Sequence, residues 1–242
     1  MSSTGTPSNH LIECLPEAER AAILAECETV DLKQGINLFR AGGSAPHAYF
    51  PTTCVISRTI TMFDGSVVEA ATIGNEGMSG VYAVLGMGFY PSNAQAQIGG
   101  ESLRIPTPAL RRLCRSCAAL DSTLRRYAAF SLRHAEQTIA CNALHPIERR
   151  AARWLLMAHD RANGRDELPI TQELLSQMLG VRRQSVTEAA STLQAAGLIS
   201  YRRGMIRVLD RAGLELSSCE CYAVVKTMYQ RIVAKHCEDG DE

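Results

Sequence analysis

The sequence predicts an α+β chain: an N-terminal double-stranded β-helix (jelly roll), one long helix, and a C-terminal winged helix-turn-helix. Three observations predict it. Residues 29–105 are short runs of β-formers broken by turn signals. Residues 119–141 contain neither glycine nor proline, and two short helical segments meet at Gly180 ahead of an arginine-bearing hairpin. Many short strands bury their apolar faces by closing into a barrel or pairing two sheets. A chain of 242 residues is long enough for more than one core.

Taken in order, Met1 to Asn9 is rich in Ser, Thr, Gly and Pro without the apolar centre of a signal peptide, so residues 1–10 read as a disordered lead-in. Leu11 to Cys27 has helical periodicity (Leu11, Leu15, Ala18, Ala22, Ala25), with Pro16 early. In the β region, Asp64-Gly65 lies between two segments of period-2 character, Ser57–Phe63 and Ser66–Ile73, which predicts a type I′ hairpin. At Thr107-Pro108 the pattern becomes helical, with Thr placed as N-cap and Pro at the first helical position. A short helix to about Cys117 and a long one over Ala119–Cys141 are expected. Along the long helix Leu120, Leu124, Tyr127, Ser131, His134, Thr138 and Cys141 recur at spacings of three and four. That stripe either packs on the barrel or meets a second copy of itself. A long helix outside a barrel needs a partner, so the expectation is a homodimer seam. His145-Pro146 ends the helix and forms a hinge. The expected units are a barrel over 11–118, a dimerisation helix and hinge over 119–145, a winged helix over 146–212, and a helical tail over 213–242.

Charge is unevenly placed. The chain is neutral, with 25 basic and 25 acidic residues, yet residues 147–212 carry eleven basic residues against seven acids, and all eleven are arginine. The planar guanidinium fork suits phosphates and base edges. No apolar run reaches the roughly 18 residues of a membrane span, so no membrane partner is expected and the compartment is read as cytoplasmic. The nine cysteines, scattered over the whole length, suit reduced thiols better than a disulfide framework.

After the hinge, Ile147–Arg161 is amphipathic and Leu168-Pro169-Ile170 is extended. Thr171 caps a helix over Gln172–Leu179, Gly180 supplies a left-handed turn, and a second helix runs over Arg182–Ala196 to Gly197. Two short helices about a Gly-centred turn have helix-turn-helix geometry. At about 100° per residue, Val186, Ala189, Ala190 and Leu193 share an inward arc. Arg183, Gln184, Thr187, Glu188, Ser191 and Gln194 share the outward one, a face of short polar groups suited to reading bases. Leu198–Arg202 and Met205–Leu209 form a wing about Arg203-Gly204, with Arg202, Arg203 and Arg207 placed for phosphates. The expected base readers are Arg183 for guanine, Gln184 for adenine and Glu188 for cytosine. Thr171, Arg182, Ser185, Arg202 and Arg203 are the expected phosphate contacts.

The run Ile170–Thr187, with Leu198-Ile199-Ser200 after it, resembles the helix-turn-helix and wing of the Crp/Fnr superfamily of dimeric bacterial regulators. The order barrel, long helix, winged helix matches over roughly residues 11–212. The resemblance implies a transcription regulator that binds double-stranded DNA as a homodimer on a two-fold symmetric site near promoters. The barrel would be the sensor, for an unknown small-molecule or redox effector, and RNA polymerase would be a partner if the chain activates. In that family the arginine at the position of Arg183 is the chief base reader; Gln184 and Glu188 differ from the best-known member. Cyclic-nucleotide-binding members hold the phosphate with an arginine in a Gly-Glu…Arg-Ser/Thr cassette. Here Thr59 to Leu103 contains no Lys, Arg or His, and the matching segments read Gly74-Asn75-Glu76-Gly77-Met78-Ser79-Gly80 and Tyr90-Pro91-Ser92-Asn93-Ala94. A buried phosphate without a cation is costly, so no cyclic nucleotide is expected. Only Cys14 and Cys27 lie where an iron–sulfur cluster would need most of four thiolates. No cofactor is expected.

Other residues carry weaker alternatives. Cys114-x-x-Cys117 stands beside Arg111, Arg112 and Arg115, which could lower a thiol pKa, but packing alone explains it. Cys219, Cys221, His236 and Cys237 lack common zinc spacing, so no metal site is expected. A terminal helix over Cys219–Cys237, with Tyr222, Val225, Tyr229 and Val233 inward, is expected instead. His134 reads as a seam residue rather than a haem ligand. The barrel acids Asp64, Glu69, Glu76 and Glu101 form no catalytic pattern, so no enzyme is expected. A thiol-based redox protein and a winged-helix protein-interaction module remain the competing classes, the latter disfavoured by the arginine excess.

Overall fold

The computed structural model describes residues 8–234. The lead-in, apart from its last residues, and the His236-Cys237 pair therefore lie outside the described residues. Pro16 stands as N-cap of a new helix, so the single helix expected from Leu11 is two, α1 (His10–Glu13) and α2 (Glu17–Glu26). The Asn9 side chain caps α1 and donates to the Pro51 and Gly77 carbonyls, which fastens the N-terminus to the barrel.

Seven strands follow: β1 (Glu28–Leu32), β2 (Asn37–Phe39), β3 (His47–Pro51), β4 (Val55–Thr61), β5 (Val67–Ile73), β6 (Asn93–Ile98) and β7 (Gly100–Pro106), with a short helix α3 (Val81–Val84) between β5 and β6. They form two antiparallel sheets, ordered β1-β7-β3 and β2-β6-β4-β5. Between them lie Phe39, Tyr49, Ile56, Ile73, Tyr90, Ala94 and Ala96, with Phe39 stacked on Tyr90. The β4–β5 turn is not type I′. Only Gly65 has positive φ, and Met62 N–H bonds the Ser66 carbonyl across a three-residue loop. Asp64 spends its carboxylate on the Ser66 N–H and hydroxyl, which holds it out of the left-handed region that type I′ needs at both positions.

Helix α4 (Thr107–Ser116) has Pro106 as N-cap, and the buried Thr107 hydroxyl makes no capping bond, contrary to expectation. Helix α5 (Ala118–Leu144) then runs 27 residues. After the hinge come α6 (Ile147–Arg161), β8 (Glu167–Leu168), α7 (Gln172–Leu179), α8 (Arg183–Ala195), β9 (Ile199–Arg202), β10 (Met205–Val208), α9 (Arg211–Ser217) and α10 (Cys221–Tyr229), with a π-helical turn over Gln230–Ala234.

The α5 stripe faces inward, which corrects the expected dimer seam. Leu120, Leu124, Tyr127 and His134 are buried inside the chain, the first three in one cluster with Ile23, Leu110, Val225 and Val233. Ser131 and Thr138 are half-buried, and the Ser131 hydroxyl returns to the Tyr127 carbonyl. The reason is the tail: α10 and the π-turn fold back on α5, with Tyr229 edge-on to Phe130 and Phe130 stacked on His134. Tyr222, Val225 and Val233 are buried as expected, and Tyr229 is half-buried. Burial, with Arg161 and Arg153 nearby, pushes the His134 imidazole down to about 3, so it is neutral. The outward face of α5 instead presents Leu132, Ile139 and Leu144, which are 66%, 70% and 78% exposed.

Helix α6 is anchored to the barrel by buried polar groups. Arg161 Nε reaches Glu76 Oε1 at 2.6 Å. Trp154 Nε1 donates to Glu69 Oε1 at 2.8 Å, and Glu69 also accepts from Thr72 and Ser57. The approach is close enough that a Cβ on Gly74 would collide with the Arg161 side chain. Burial pushes the Glu69 carboxyl up, against the lowering effect of its three hydrogen-bond donors and of Arg161. A raised folded pKa means that the favourable contribution is fully present below the unfolded pKa and lost as pH rises through the folded one. Glu69→Gln keeps an acceptor for Trp154 and Thr72 without the buried charge. It should therefore raise the thermal midpoint in mildly alkaline buffer, with an advantage that shrinks towards acid pH. A variant less stable than wild type in alkaline buffer would contradict this placement of Glu69.

Candidate nucleic-acid interface

Thr171 is the N-cap of α7, its hydroxyl accepting from Leu174 N–H at 3.1 Å. The helix buries Leu175, Met178 and Leu179. It closes at Gly180, with φ 63° and ψ 41°, where Val181 N–H returns to the Ser176 carbonyl. Arg182 is extended and α8 begins at the next residue. Val186, Ala189 and Leu193 of α8 pack into one core with Ala151, Leu155 and Leu156 of α6. Helix α8 therefore has its inward arc as expected, and Arg182, Arg183, Gln184, Thr187, Glu188, Ser191 and Gln194 are exposed. Ser185 is half-buried.

Hydrogen bonds order this face. Arg183 Nε donates to Gln172 Oε1 at 3.3 Å, and Gln184 Nε2 donates to Glu188 Oε1 one turn on at 3.1 Å. Gln194, which the sequence places among the outward polar groups, accepts from Tyr201 N–H at 2.8 Å and so ties α8 to the wing. The wing is a sheet ordered β8-β10-β9, in which the extended piece before α7 supplies the third strand. Its tip has positive φ at both Arg203 (50°) and Gly204 (76°), the condition for a type I′ turn. A Cβ on Gly204 would stand 3.2 Å from the Thr171 methyl, so the wing tip abuts the cap of α7. Thr171, Arg202 and Arg203 thus share one edge, and all three are exposed.

The arginines differ in pairing and in grouping. Arg104, Arg112, Arg125, Arg133, Arg161 and Arg211 each hold a carboxylate, whereas among the described residues the exposed Arg40, Arg115, Arg149 and Arg165 hold none. Among the described residues Arg182, Arg183, Arg202, Arg203 and Arg207 hold none, and all five are exposed. Not every arginine of the basic segment serves this surface. Arg150, Arg153 and Arg161 are buried, Arg150 donating to the Leu179 carbonyl and Arg161 to Glu76. The available signal was their position on α6, at Trp154 and its helical neighbours rather than on an outward arc.

The barrel segment 74–77 is crowded. A Cβ on Gly77 would collide with the Tyr127 hydroxyl, and the adjacent cavity measures about 50 Å³. Arg58, Arg153 and Arg161 line it, which corrects the expectation that no cation comes near: these three lie outside residues 59–103 and reach in from the flanks. Arg58 stands 5.0 Å over the Tyr82 ring. Among the thiols, burial pushes Cys114 up to about 11 and Cys27 and Cys54 to about 12. That is opposite to the lowered pKa that a reactive Cys114-x-x-Cys117 would need. Cys14 is disulfide-bonded, against the expectation of reduced thiols throughout.

Residues 149–216 match the Crp-like helix-turn-helix domain. No curated protein matches the chain. Among solved structures, FixK2 from Bradyrhizobium japonicum is similar with a TM-score of 0.68 at 17% identity, over 80% of this chain and 98% of that one. A transcriptional regulator of the crp/fnr family from Eubacterium rectale gives 0.65 at 19% identity, over 86% and 96%. A CRP-family transcriptional regulator from Thermus thermophilus gives 0.64 at 18%, over 79% and 96%. The chain thus carries a segment, residues 149–216, similar to a Crp-like helix-turn-helix domain, within an overall fold shared with these solved regulators.

Proposed function

We propose that the chain is a sequence-specific transcription regulator that binds double-stranded DNA as a homodimer on a two-fold symmetric promoter site. The observation that carries this reading is the clustering around α8 and the wing of five exposed arginines that hold no carboxylate among the described residues. In this reading the functional units keep the bounds 11–118, 119–145 and 146–212. Arg183, Gln184 and Glu188 read base edges in the major groove. Thr171, Arg182, Ser185, Arg202 and Arg203 touch phosphates and fix register. The barrel is the sensor for a small molecule or redox signal other than a cyclic nucleotide: residues 59–103 carry no Lys, Arg or His to hold a cyclic phosphate, and Arg161, which reaches in from the flank, is already held by Glu76. RNA polymerase is the further partner if the chain activates.

The seam that supports dimerisation is the outward face of α5. Arg125, Ala129, Leu132, Glu136, Ile139 and Ala143 are all exposed or half-buried and follow one another at alternating spacings of four and three. That is the repeat of a two-helix seam, with alanines that let the helices approach. Leu132 and Ile139 are the apolar residues it would bury.

Arg183→Ala should cost about 1–3 kcal/mol on the operator and little on random duplex. Arg203→Ala should weaken both alike and lower the salt slope by about one unit for each phosphate it no longer neutralises. Binding across a library of operator variants separates the two, and an equal loss by Arg183→Ala on every sequence would remove it from the base readers. Adding cyclic AMP to the same assay should change nothing.

Replacing Leu132 and Ile139 with Glu should yield folded monomers in sedimentation and abolish tight operator binding. A double variant that stays dimeric would place the seam elsewhere.

A further inference from the structure

The end of α5 and the turn between α9 and α10 bring four soft ligands together. Cys141 and His145 are one helical turn apart, and Cys219 and Cys221 flank Glu220. Their three sulfurs and a ring nitrogen all lie within 4.8 Å of one another. Cys141 Sγ is 3.5 Å from Cys219 Sγ, and Cys221 Sγ is 3.6 Å from His145 Nδ1. Around tetrahedral zinc, with its known Zn–S and Zn–N lengths, sulfurs stand about 3.8 Å apart and a sulfur and nitrogen about 3.5 Å. The four groups need only small shifts to reach that sphere. We propose that Cys141, His145, Cys219 and Cys221 form a closed Cys3His site for one zinc-class divalent cation. The sequence alone sets Cys219 and Cys221 aside, because C-x-C followed by a distant His-Cys pair lacks common zinc spacing; the fold supplies Cys141 and His145 from the end of α5.

The surroundings are those of a ligand set. His145 Nε2 meets Glu220 Oε1 at 3.1 Å, which turns Nδ1 towards the sulfurs, the usual carboxylate–histidine–metal arrangement. Gln137 Nε2 donates to Cys221 Sγ at 3.1 Å. All three thiols are buried, the most exposed of them at 2%. Three thiolates exceed a doubly charged cation by one negative charge, and Arg153 is placed to balance it. That arginine is buried, holds no carboxylate among the described residues, has an Nε without an acceptor, and lies close enough to act on Cys141 and Cys219. On binding, three S–H protons pass to solvent as three metal–sulfur bonds form, and His145 contributes a lone pair. The site stands at the His145-Pro146 hinge, where it ties the tail to the end of α5 and fixes where α6 begins.

The test uses the full chain, reduced and stripped by chelator, titrated with cobalt(II) and then zinc(II), without DNA. One cobalt per chain is expected, with the ligand-field bands of a tetrahedral ion and thiolate-to-cobalt charge transfer, both bleached by zinc. Cys219→Ser and His145→Gln should lose this signature while Cys117→Ser keeps it. Alkylation of the wild type with and without zinc, mapped by mass, should show zinc-dependent protection confined to Cys141, Cys219 and Cys221; this arm needs no variant to fold. No uptake, an octahedral spectrum, uptake retained by Cys219→Ser, or protection at other cysteines would overturn the proposal.

Discussion

The arrangement of the molecule depends on the buried polar contact between α6 and the barrel. Arg161 and Glu76 are both largely withdrawn from solvent at 2.6 Å, and Trp154 and Glu69 meet about two turns away on the same helix. A buried pair is a weak source of net stability, yet removing one partner strands the other charge and costs about 3–5 kcal/mol. Such a contact therefore tolerates one geometry and penalises others. Because α6 also packs against α8, the segment 69–77 of the barrel and helix α8 are both held by a single element, α6. Gly180, at the turn before α8, stands with Val68 only 3.1 Å from where its Cβ would be, a second point of contact with β5.

The tail supplies the other constraint. Its helices cover the apolar face of α5 that a dimer seam would otherwise have used. The chain thus spends its strongest hydrophobic stripe on its own core, and leaves outside a thinner row built from Ala, Leu and Ile with charged neighbours. The same fold-back carries Cys219 and Cys221 to Cys141, so the tail is joined to α5 both by apolar packing and by a cluster of sulfurs.

Much of the fold was legible because local rules sufficed. Gly180 and the Thr171 cap mark the helix-turn-helix by backbone chemistry alone, and the period of α8 separates Val186 and Leu193 from Arg183 and Glu188. What was not legible depended on partners distant in sequence. Periodicity identifies the stripe Leu120–Thr138 and the inward Val225 and Val233 of the tail, but not that the one covers the other. Composition counts eleven arginines in residues 147–212 but does not show that Arg161 belongs to Glu76 and Arg150 to a carbonyl. Cys141 and His145 are separated from Cys219 by more than seventy residues, so no local spacing could disclose them. Asp64-Gly65 failed for a local reason: the side chain of Asp64 bonds forward to Ser66, which selects a different turn.

The central claim is that the arginines around α8 and the wing meet nucleic-acid phosphates. The direct measurement is fluorescence anisotropy of the full chain on a labelled random duplex at increasing salt. Each phosphate neutralised releases condensed counterions, so log affinity should fall linearly with log salt, by about 0.9 per contact. The account predicts a steep slope, worth several contacts per subunit. An affinity that does not change with salt, or no binding at low salt, would contradict it.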